Sequence, residues 1–116
     1  MMKPLMLAAA LTLAASAATA HAMLEHAVPA AGAALAKAPG TLTLQFSENL
    51  EPAFSSVAVT DDAGRSVTAG PSSAGGAKMS VPLEPLKPGT YRVVWHALSV
   101  DTHRTEGSYS FTIGTR

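Results

Sequence analysis

Four histidines, an aspartate and a glutamate are the side chains of this sequence best suited to metal chemistry. The histidines are His21, His26, His96 and His103. Asp101 and His103 stand one residue apart in SVDTHRTEGSYSF, just before an apparent final β-strand. In an extended segment, residues i and i+2 point to the same side, so the two can converge on one ion. The bland alternative is a turn in which Asp101 accepts hydrogen bonds from nearby backbone N–H groups. Two ligands do not make a metal site, so any others must come from elsewhere in the chain.

The opening residues suggest where. MMKPLMLAAALTLAASAATA has a positive start at Lys3, a short apolar run from Leu5 to Ala18, and a small-x-small triplet, Ala18-Thr19-Ala20. This is the pattern of a secretory signal peptide, with an apolar stretch too short to span a bilayer. Cleavage after Ala20 makes His21 the first residue of the mature chain. Its free α-amine, with a pKa of about 8, can then bind a metal together with its own imidazole. Ala20-His21-Ala22 fits the same pattern, and cleavage there would discard His21. With His21 first, the donors are an amine, two imidazoles and a carboxylate. That N3O set suits tetragonal Cu(II), whereas zinc prefers a tetrahedron.

These residues must be held by β-strands, because no helical periodicity follows the leader. TLTLQF places Leu42, Leu44 and Phe46 on one face, and SSVAVT places Val57 and Val59 on one face. Asp61-Asp62-Ala63-Gly64 reads as a turn with RSVT as hairpin partner, and GPSSAGG (70–76) as a flexible loop. Met79 to Leu83 is a weak strand. A longer strand carries Tyr91, Val93 and Trp95 on one face, and the last carries Tyr109, Phe111 and Ile113. About seven short antiparallel strands predict an all-β, Greek-key, Ig-like sandwich or barrel over residues 21–116, with residues 1–20 as the signal peptide.

Composition narrows the function. Removing the first 20 of 116 residues leaves 96, enough for one domain with a modest core. The mature chain would carry seven basic and eight acidic groups without clusters, which argues against nucleic acid or an anionic membrane surface. There are no cysteines, so thiolate zinc sites and cysteine-ligated blue copper are excluded.

Three segments together resemble the CopC family of periplasmic copper-binding proteins: HAMLEHAVPAAGAAL, LTLQFSENLEPAFSSVAVTD and GTYRVVWHALSVDTHRTEGSYSFTI. The most specific parts are the histidine at the cleavage point, FSENL, and W-x-x-x-S-x-D-T-H-x-x-x-G-x-x-x-F. The resemblance implies a periplasmic protein binding one Cu(II) per chain through His21, Asp101 and His103, in copper resistance or homeostasis. Glu48 matches a family carboxylate beside the site, where it can orient the terminal amine. The implied partner is an inner-membrane copper protein of the CopD type. No nucleic acid, membrane insertion or catalytic turnover is expected, and the chain is expected to be a monomer.

Some family members also carry a Cu(I) site of several methionines. Here the corresponding TAGPSSAGGAKMSV holds only Met79, and Met23 is expected to pack, so no methionine-rich Cu(I) site is expected. His26 and His96 are expected to be surface residues. Two other functions fit parts of the pattern. A histidine-brace copper monooxygenase also begins with a histidine chelate, but Asp101 would occupy a planar position that oxygen needs. A metal-free Ig-like module explains the strands and leaves His21, Asp101 and His103 unexplained.

Overall fold

The computed structural model describes residues 22–114. The signal-peptide expectation for residues 1–20 and the ligand His21 lie outside the described residues. Among the described residues eight strands form: β1 (Leu24–Val28), β2 (Ala34–Leu35), β3 (Thr41–Phe46), β4 (Ser56–Thr60), β5 (Ser73–Gly75), β6 (Lys78–Pro82), β7 (Gly89–Leu98) and β8 (Arg104–Ile113). They pair as two four-stranded sheets, β1-β3-β6-β5 and β2-β8-β7-β4. The all-β sandwich expected from the sequence is therefore what forms. All pairings are antiparallel except the short β2–β8 contact, which is parallel.

Alternation in the sequence becomes burial in the sandwich. Leu42, Leu44 and Phe46 of β3 face Val57 and Val59 of β4 and Tyr91, Val93 and Trp95 of β7 in one continuous core. In β3, β4 and β7 every second residue is buried, because adjacent side chains point to opposite faces of the pleat. At the end of the molecule that carries Asp101, Trp95 meets Phe46 edge-on with ring centroids 5.0 Å apart. Trp95 is also paired in register with Gly107 of β8. A Cβ on Gly107 would lie 2.7 Å from Cζ2 of the Trp95 ring, so only glycine fits beneath the indole. The tryptophan and the glycine of the C-terminal motif are thus one packing unit supporting the loop between them.

Two local expectations need correction. GPSSAGG is not simply a loop: Ser73–Gly75 forms edge strand β5, paired with Lys78–Ser80. Its small residues give no alternation, yet backbone groups alone can pair with an open sheet edge. RSVT does not form a strand with β4. After the Asp61–Gly64 turn, with Gly64 at φ 82°, only the Thr60–Ser66 bridge forms. Thr68 then bridges Leu83, at the end of the other sheet.

Candidate metal centre

The loop joining β7 to β8 is closed by its own backbone. Ser99 N–H donates to the His103 carbonyl at 3.0 Å, and Thr102 N–H donates to the Ser99 carbonyl at 2.8 Å. Thr102 sits at φ 74°, unusual for a β-branched residue and costing roughly 1–3 kcal/mol. Asp101 and His103 are thus brought together by a turn and not by extended backbone. The two side chains are close in space, through this turn rather than through the alternation of a strand.

His103 Nδ1 lies 3.3 Å from Asp101 Oδ1, with both side chains a little under half exposed. Two donors about 2.0 Å from one ion and at right angles to each other stand about 2.8 Å apart. The observed spacing is therefore close to what one ion requires of two neighbouring planar ligands. The Ser99 hydroxyl, fully buried, donates to Asp101 Oδ1. Ser99 Oγ in turn accepts from the His103 backbone N–H at 3.3 Å. The Ser99 hydroxyl, first, and the His103 imidazole hold the Asp101 carboxyl below its usual range, against a smaller opposing effect of desolvation. A carboxylate ready to bind a cation is the consequence. The importance of Ser99 was missed in the sequence. Its position two residues before Asp101 was the available signal, obscured because serine is common in turns.

Two further segments are tied to this loop. The bend Ser47–Asn49, which follows β3, is fixed on one side by Val100 N–H donating to the Asn49 carbonyl at 3.0 Å. On its other side Ser47 exchanges two bonds with Met23: Met23 N–H to Ser47 Oγ at 2.8 Å, and Ser47 N–H to the Met23 carbonyl at 2.9 Å. Glu48, partly buried, lies in the middle of this bend. The start of the described chain is tied down as well. Ala22 is fully buried, and its carbonyl accepts from Thr105 Oγ1 at 2.9 Å, two residues beyond His103.

The remaining candidates lie apart. His26 is exposed on β1, where the strand bulges between Leu24 and His26. His96 points outward from β7 and meets Glu106 at 3.2 Å. Met79 is fully buried in the core, whereas Met23, expected to pack, is 55% exposed because it faces outward at a sheet edge. Among the described residues no group of three or more histidine, aspartate and glutamate side chains is placed to hold a metal.

The family model of the CopC domain matches residues 24–114. Protein YobA of Escherichia coli K12 is 42% identical over 98 residues, covering 81% of this chain and 79% of that protein. Copper resistance protein C of Escherichia coli is 39% identical over 106 residues, covering 83% of each. Among solved structures, CopC from Methylosinus trichosporium OB3b superposes with TM-score 0.76 at 30% identity, covering 83% of this chain and 96% of that one. PcoC from Escherichia coli, described as a methionine-rich copper resistance protein, superposes with TM-score 0.69 at 38% identity, covering 81% and 99%.

Proposed function

This chain belongs to the CopC family, and from that premise we propose that it is an exported copper protein that holds one Cu(II) ion between its N-terminus and the β7–β8 loop. The ligands are the α-amine and imidazole of His21, the Asp101 carboxylate and the His103 imidazole. The single observation that carries the reading is the bond from Thr105 to the Ala22 carbonyl. It ties the residue next to His21 to the strand that starts just after His103. His21 directly precedes Ala22 in the sequence, which is why an anchored Ala22 supports His21 as the missing ligand.

The chain's own groups then divide the work. Ser99 keeps Asp101 ionised and aimed, and the turn at Thr102 keeps Asp101 and His103 at ligand spacing. Glu48 orients the terminal amine from the bend between the two segments. The ion is cargo in copper resistance or homeostasis, and no reaction is catalysed on it. With three nitrogens and a carboxylate around it, Cu(II) is favoured over softer Cu(I), and there is no methionine-rich loop. The protein works as a periplasmic monomer and exchanges copper with an inner-membrane protein of the CopD type.

Export is part of the mechanism. Before cleavage the His21 nitrogen is an amide, which is a poor ligand at neutral pH, so the precursor binds Cu(II) weakly. Titration calorimetry of the mature protein tests the reading. One ion per chain with sub-micromolar affinity is expected, and micromolar or weaker binding that His103→Ala leaves unchanged contradicts it.

A further inference from the structure

Strands β7 and β8 carry a second histidine–carboxylate pair, outside the loop that joins them. His96 and Glu106 stand directly opposite each other in the antiparallel register, and His96 Nδ1 lies 3.2 Å from Glu106 Oε1. Both side chains point away from the core and are open to solvent, at 58% and 74% exposure. Two donors bound to one zinc ion at about 2.0–2.1 Å, at tetrahedral angles, stand about 3.3 Å apart. The pair already has that spacing. One chain supplies only these two donors, because among the described residues no third histidine, aspartate or glutamate joins them. Whatever completes the shell must come from outside the chain.

The face around the pair leaves room for a second copy. The nearest outward positions are short: Ser56 of β4 lies opposite His96, and exposed Ser108 follows Glu106 on the same side of β8. The pair stands between two hollows of about 300 and 360 Å³, both lined by His96 and Glu106. Arg92 borders the first, and Phe54 and Arg104 border the second, so the longer side chains flank the pair and leave it uncovered. Sheets stacked face to face stand about 10 Å apart, which puts an ion midway about 5 Å from each. A histidine side chain and a metal–nitrogen bond of about 2.0 Å span that distance. We propose that His96 and Glu106 are half of a zinc site, completed by the same two residues of a second copy related by a two-fold axis. Two imidazoles and two carboxylates then surround a tetrahedral ion, and the carboxylates cancel its charge. None of these ligands belongs to the copper site above, and without zinc the chain is a monomer.

Sedimentation velocity of the mature protein with and without Zn(II) tests this, on wild type, His96→Ala, Glu106→Gln and His103→Ala. The three substituted side chains are exposed, so the core keeps its packing. Wild type and His103→Ala are expected to double in mass when Zn(II) is added, and a chelator should reverse the change. His96→Ala should stay monomeric. Glu106→Gln should need at least about tenfold more Zn(II) for half-dimerisation, the least that loss of even an outer-shell partner costs. A wild type that stays monomeric in Zn(II), a dimer that forms equally without Zn(II), or a Zn(II) dimer that His96→Ala retains overturns the inference.

Discussion

The chain turns around an aspartate at each end of β7. Asp61 lies where β4 ends beside the start of β7, and Asp101 lies where β7 leaves for β8. The ten residues of β7 separate them by roughly 30 Å. Both carboxyls are held below their usual range, but by different means. Asp61 accepts from the backbone N–H groups of Arg65 and Ala63 at 2.9 and 3.0 Å, with the Arg65 guanidinium 3.5 Å away. Its charge is used up within its own turn. Asp101 is held by a serine hydroxyl and an imidazole, the second of which can itself bind a metal. The Asp61 end also has a cavity of about 230 Å³, lined by Asp62, Lys87 and Tyr91 among others, and no histidine lines it. A lowered carboxyl pKa or a concave surface does not by itself make a metal site; the identity of the partners does.

Substitutions at the two ends should separate these roles. His103→Ala removes a ligand outright. Cu(II) affinity should fall by more than the roughly 100-fold that loss of an outer-shell partner costs at most, read by calorimetry or by quenching of the single tryptophan, Trp95. Asp101→Asn keeps the shape of the turn and removes the negative donor. A smaller loss of about 10- to 100-fold is expected, comparable to outer-shell effects because three nitrogens remain. Ser99→Ala leaves all four ligands in place but frees Asp101. Affinity should drop several-fold, and because Ser99 is fully buried, stability to urea should fall by about 1–3 kcal/mol.

Asp61→Asn should leave Cu(II) affinity unchanged and act on stability alone. The sign follows from the lowered pKa. The folded state favours the ionised form, so the contribution is present above the ordinary carboxylate range and lost as pH falls through the lowered value. The variant should therefore melt below the wild type at neutral pH and match it in strong acid. A copper effect from Asp61→Asn, or none from Asp101→Asn, would erase the distinction between the two ends.

Much of this was legible in the sequence because it is local. Leu42, Leu44, Phe46, Val57 and Val59 show their burial through a period of two, the same period that the pleat imposes. The edge strand Ser73–Gly75 was not legible, because it is held by backbone pairing with Lys78–Ser80 and carries no side-chain pattern. Asp101 and His103 were readable as a pair, with a turn at Asp101 as the alternative to an extended segment, but nothing in Asp-Thr-His announces the left-handed threonine. Packing of Met23 was expected from its apolarity, yet which side of an edge segment faces the core depends on pairing with Ser47, 24 residues away. The anchoring of Ala22 by Thr105 spans 83 residues and has no local signature.

The central claim is that a free amine at His21 completes the site begun by Asp101 and His103. It is tested most directly by comparing Cu(II) binding of the protein that starts at His21 with that of the same chain carrying an acetylated α-amine. Acetylation changes neither the β7–β8 loop nor any side chain. The account predicts tight binding of one ion by the free form and a loss of at least about 100-fold on acetylation, beyond the range of outer-shell effects. Equal affinity for the two forms would contradict it.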